Sequence, residues 1–124
     1  MGIFSGIFGR GSEIDPDELE EEFEAVLTEQ EQLERAYKIV RDLVVFTNKR
    51  LLLVDSEGIT SKKQSFMSVP YKHIVLFSKE RSGHFEKDAE LKIWVKGNPE
   101  PITLSFDKDK SIHEVYQVLG HFVL

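Results

Sequence analysis

Four histidines, His73, His84, His113 and His121, are the residues of this 124-residue chain best suited to proton transfer or metal ligation. They fall in separate segments and show no H-E-x-x-H or comparable ligand spacing, and there is no cysteine. Neither a built zinc site nor a thiolate nucleophile is therefore expected. Asp42, Asp55 and Glu90 could work as an acid–base pair if folding brought two of them together. At strand ends, however, such carboxylates more often accept from turn backbone donors. The early glycines follow no strand and lead to no Gly-Lys-Ser/Thr ending, so a phosphate-binding loop is not expected. These residues predict a protein that is not an enzyme and that uses no cofactor and no metal.

The charge pattern narrows the partners. The net charge is −6, but residues 1–34 hold eleven acids against the single base Arg10, which leaves the remainder at +4. An acidic leader on a mildly basic body would repel phosphate and compete for any basic face, so nucleic acid is not an expected partner. Apolar residues at 40% and charged residues at 31% fit a globular chain long enough to bury a core without disulfides. The absence of cysteine suits a reducing compartment, and no apolar run is long enough to span a bilayer, so a cytoplasmic location is expected.

The elements that must position these residues follow from periodicity. Residues 1–11 combine four glycines with Ile3, Phe4, Ile7 and Phe8 at helical spacing, too short and too rich in glycine to be a stable helix alone. This segment calls for a partner surface, more plausibly protein than membrane, because the acids that follow oppose anionic lipid. Gly6 stands where a myristoylation signal needs Ser or Thr. Asp15-Pro16-Asp17-Glu18 has the spacing of a helix start, and Leu19, Phe23, Val26 and Leu27 then form one apolar stripe on a helix ending near Thr28. From about residue 34 the period becomes that of strands, over 35–40, 42–47, 50–55, 63–69, 74–80, 89–96 and 102–106, with a hairpin corner at Thr47-Asn48-Lys49-Arg50. Ser111-Ile112-His113-Glu114 then opens a closing amphipathic helix carrying Val115, Tyr116, Leu119, Phe122 and Val123. Seven short strands joined by hairpin-length turns imply an antiparallel barrel or sandwich in a mainly β, α+β chain. It divides into an N-terminal segment with acidic helix, 1–30, and a β domain, 31–124, forming one structural unit.

Some apolar surface exceeds what one small barrel can hide. Leu91, Ile93 and Val95 alternate with Glu90, Lys92, Trp94 and Lys96, which turns Trp94 outward among lysines. Leu43 and Val45 point one way, Val44 and Phe46 the other, and 51–54 is apolar on both faces. A strand buried on both sides needs an outer cover, either the helix carrying Leu19 and Phe23 or a neighbouring subunit. Phe4, Phe8, Phe23, Val44, Phe46 and Trp94 are therefore the contact candidates for self-association or for another protein or peptide.

The run Arg41-Asp42-Leu43-Val44-Val45-Phe46-Thr47-Asn48-Lys49-Arg50-Leu51-Leu52-Leu53-Val54-Asp55 resembles the signature of the bacterial pleckstrin-homology (PH) domain family. So do Val69-Pro70-Tyr71-Lys72-His73-Ile74 and the run from Gly83 through Trp94 to Val95. The resemblance covers nearly the whole chain. It implies a PH-like seven-stranded barrel capped by a C-terminal helix, ring-like homo-oligomers and no established enzymatic activity. Head-to-tail contacts between unlike surfaces close into rings where the rotation permits. A PH-like fold also invites the alternative of a peripheral lipid-headgroup or membrane-surface module. Lys38 and Arg41 lie roughly where such domains place basic residues, but two cations followed by Asp42 are thin for polyphosphate.

Overall fold

Thr47 organises the tightest corner of the chain. Its hydroxyl accepts from the backbone N–H groups of Lys49 at 3.0 Å and Arg50 at 2.9 Å, so Asn48-Lys49 reverses direction without leaving donors unpaired. The computed structural model describes residues 13–39, 42–56, 64–81, 89–106 and 111–124. Among these, the strands are β1 (Glu13–Ile14), β2 (Leu33–Lys38), β3 (Asp42–Thr47), β4 (Arg50–Ser56), β5 (Gln64–Pro70), β6 (Ile74–Arg81), β7 (Ala89–Val95) and β8 (Ile102–Phe106). Helix α1 (Glu20–Phe23) follows a 3-10 turn at Pro16–Leu19, and α2 (Ser111–Val123) closes the chain.

All strand pairs are antiparallel and sequential, giving one sheet in the order β1-β2-β3-β4-β5 and a second in the order β6-β7-β8. The fold is mainly β with a C-terminal helix, as the strand spacing implies. Each of the seven expected strands is present with ends shifted by no more than two residues. The additional strand β1 is only two residues long and carries no period of its own.

Two apolar clusters explain the two-faced strands. Val44, Phe46, Leu51 and Leu53 face Leu91, Ile93, Leu104 and Phe106 of the second sheet and Ile112, Val115 and Leu119 of α2, forming the main core. On the other face, Leu43, Val45, Leu52 and Val54 pack against Ile14, Leu19 and Phe23, with Val26 and Leu27 at the margin. The cover is thus the chain's own N-terminal segment.

The N-terminal helix is shorter than the apolar stripe implies. A 3-10 turn runs into one turn of α-helix that ends at Phe23, and the chain continues through turns in which Phe23 O accepts from Val26 N at 2.9 Å and Leu27 N at 3.1 Å. Arg50 Nη2 takes the Val26 carbonyl at 2.8 Å, which offers that oxygen a partner outside any helix. Like-charged Glu20 and Glu24 four residues apart further disfavour elongation.

A buried ion pair ties this segment to the barrel. Glu31, whose side chain is 1% exposed, receives Arg50 Nε and Nη2 at 2.8 Å each, in a two-point clasp. The Thr47 hydroxyl donates to Oε2 at 2.7 Å and the Thr28 N–H to Oε1 at 2.9 Å. Burial opposes ionisation of Glu31, but these donors, led by Arg50, overcome it and lower the pKa to about 2.

Candidate interaction surfaces

The second sheet has one face in the core and one outside. Leu91 and Ile93 are buried on the inner face, paired with Lys79 and Phe77. Trp94 lies on the other face, directly opposite Leu76 in the β6–β7 register and half-buried. A β-bulge between Ile74 and Leu76 leaves Val75 60% and Leu76 59% exposed while Ile74 stays buried. Ser78, opposite Lys92, shares the outer face, and its Oγ is shielded from solvent without a hydrogen-bond partner among the described residues. Val75, Leu76 and Trp94 thus form an outward apolar patch at one end of the sheet.

A second apolar exposure lies at the edge strand β5. Phe66 is 40% exposed and meets Phe23 edge-on, with ring centroids 5.7 Å apart. Phe66 therefore rims the cover over the first sheet, and Met67 is exposed beside it.

An open groove of about 840 Å³ separates the start of β2 from α2, with Glu34 and Arg35 on one wall and His113, Glu114, Gln117 and His121 on the other. Its charges are largely spent on each other. Arg35 bridges Glu13, at 3.1 Å, and Glu114, and Glu114 also accepts from the Tyr37 hydroxyl at 3.1 Å. Burial, reinforced by Glu114, pushes the Tyr37 hydroxyl up and keeps it a donor. Lys79 Nζ donates to His113 Nδ1 at 2.9 Å and lies over the Tyr116 ring. The groove is a polar seam fastening α2 to β1, β2 and β6. Beyond it, Phe122 stacks between Phe46 and Tyr71, at 5.8 and 4.8 Å between centroids.

The structure sorts the residues picked out from sequence. Phe23, Val44 and Phe46 are buried under their own chain, which corrects their reading as contact residues. They belong to the core because β3 and β4 are covered on both sides internally. Trp94 faces outward as alternation implies, while Val75 and Leu76 were missed, and Leu76 is turned out only by the bulge. Lys38 ends β2 half-buried, and Phe4, Phe8 and Arg41 lie outside the described residues. Asp42 and Asp55 do meet, directly across the β3–β4 ladder, whereas Glu90 belongs to the other sheet. No group of three or more histidine or acidic residues able to hold a metal occurs among the described residues, and no helix among them is long and apolar enough to cross a membrane.

Two antiparallel sheets closed by a C-terminal helix define a PH-like domain. The chain belongs to the bacterial PH domain family, whose model matches residues 2–123. It is 48% identical over 121 residues to the uncharacterized protein YjqA of Bacillus subtilis (strain 168), covering 97% of each chain. It is 35% identical over 114 residues to uncharacterized YozO of the same organism, covering 92% of this chain and 94% of the relative. Among solved structures it is similar to a DUF1696 family protein with a pleckstrin-homology domain from Shewanella loihica, with 41% identity and a TM-score of 0.79. That match covers 94% of this chain and all of the other.

Proposed function

We propose that this chain is a non-enzymatic PH-like module that associates with copies of itself, in ring-like homo-oligomers, and presents that assembly to other proteins. The observation that carries the reading is the outward patch of Val75, Leu76 and Trp94. Among the described residues, β3 and β4 are covered on one face by the second sheet and α2 and on the other by the chain's own N-terminal segment, and the other apolar exposure within a strand, Phe66 and Met67 of β5, lies at the rim of that cover. Large aliphatic and aromatic side chains grouped on one exposed face favour a protein contact over solvent. The lipid-headgroup alternative has less behind it, since Lys38 and Arg41, followed directly by Asp42, are thin for a multiply charged phosphate.

Sedimentation equilibrium of the full-length protein at micromolar concentration tests the reading. A mass several times 14.3 kDa is expected. A single-chain mass would overturn it.

A further inference from the structure

The two outward faces of the sandwich carry opposite charge. On the second sheet, the patch of Val75, Leu76 and Trp94 is flanked by Lys72, in the 3-10 turn Tyr71–His73 that leads into β6, and by Lys96, just past the end of β7. The Lys96 N–H donates to His73 O at 2.8 Å, which holds both flanks at the same end of the sheet. Both lysines are exposed, and neither side chain has an ion-pair or hydrogen-bond partner among the described residues. The patch is an apolar centre with a cationic rim.

The cover over the first sheet has the reverse sign. Residues 13–29 contain no lysine or arginine. Glu20, Glu21 and Glu22 of α1 and Glu24 just after it are exposed, and their carboxylates have no partner among the described residues. These acids flank Phe23 in sequence, and the Phe23 ring meets the 40% exposed Phe66 edge-on. The cover is an acidic surface with an aromatic ring at its rim.

Neither surface can satisfy the other within one chain. The patch lies on the outer face of the second sheet and the cover on the outer face of the first, with the main core between them. Packed sheets lie about 10 Å apart. Charges on their two outer faces are farther apart still, beyond the screening length of about 8 Å at physiological salt. A second copy placed head to tail brings the opposite charges together around apolar side chains.

We infer that the patch of one copy seats on the acidic cover of the next, with Leu76 and Trp94 against Phe66 and with Lys72 and Lys96 against the carboxylates of α1 and Glu24. This rests on the self-association reading and gives it a direction. The contact joins two unlike surfaces, so each copy offers one of each, and the series of contacts closes into a ring or extends as a filament. Burial of the apolar side chains supplies the affinity, while the rim charges set orientation and reject a patch-to-patch or cover-to-cover approach.

Charge reversal in the full-length chain tests the pairing. One variant combines Lys72→Glu with Lys96→Glu; the other combines Glu20→Lys, Glu21→Lys, Glu22→Lys and Glu24→Lys. Masses are measured by light scattering at micromolar concentration, each variant alone and in equimolar mixture, with melting temperatures as the check on folding. Each variant alone should fall to single-chain mass, because like charges then meet at every contact. The mixture should recover the native mass, because contacts between unlike variants are again opposite in sign. A mixture that stays at single-chain mass overturns the inference. So do variants that assemble alone as the native chain does; self-association then uses other surfaces, and the patch is left to a segment of its own chain or to a different protein. A native chain that is already single defeats the self-association reading and the inference with it. If the fourfold variant melts well below the native chain, Glu21→Lys with Glu24→Lys replaces it, with the same outcomes required.

Discussion

Leu76 and Trp94 stand directly opposite each other across the β6–β7 ladder, on the face that the second sheet turns away from the core. Side chains directly opposite on one face of an antiparallel pair have Cβ atoms about 5 Å apart, within reach of each other. Together with Val75 they give the domain a contiguous apolar surface at the end remote from β1.

Removing the aromatic half of this pair should separate assembly from folding. Trp94→Ala is expected to weaken association by about 2 kcal/mol, roughly 30-fold, as a tryptophan at the centre of an interface does. Dilution series followed by light scattering measure the loss. Equal losses of association and of urea resistance would assign Trp94 to the core.

Phe46→Ala should behave in the opposite way. Phe46 is fully buried and stacked on Phe122, so its truncation should cost about 3–5 kcal/mol of folding stability. Urea unfolding monitored by Trp94, the only tryptophan, checks this. A loss below about 1 kcal/mol would show that the stack does not support the barrel.

Glu31→Gln should loosen the N-terminal cover. The substitution leaves the Arg50 guanidinium without its carboxylate in a partly buried site, and breaking such a pair typically costs about 3–5 kcal/mol. The midpoint of urea unfolding should fall accordingly, and Glu31→Asp, which keeps the charge, should recover part of it. Unchanged midpoints in both variants would contradict the clasp.

The same carboxylate sets an acid limit. Its folded pKa lies near 2, below the ordinary value of 4.5, so its contribution is fully present above pH 4.5 and is lost as pH falls toward 2. The contribution is on the order of 3 kcal/mol. Stability measured from pH 6 to pH 2 should drop within that window in the native protein, and less steeply in Glu31→Gln. Parallel profiles would place the acid sensitivity elsewhere.

The strand order, the two-faced character of β3 and β4 and the outward turn of Trp94 were legible because alternation and turn residues are local signals. The cover over Leu43 and Val45 was legible only as a choice between the helix of Phe23 and a neighbour, since both satisfy the same pattern. Leu76 was hidden for a geometric reason. Strict alternation from buried Ile74 places Leu76 inside, and the bulge between them shifts the register by one residue. The Glu31–Arg50 clasp joins residues nineteen apart in sequence, and no local spacing announces it. The short α1 likewise reflects a tertiary competitor, Arg50 at the Val26 carbonyl.

The most direct measurement of self-association through the second sheet is the mass in solution of the native chain beside Leu76→Glu, at the same micromolar concentration. The native chain should scatter as several copies of 14.3 kDa, and the variant as one, at an unchanged melting temperature. Equal masses for the two would contradict an assembly built on the face that Leu76 shares with Trp94.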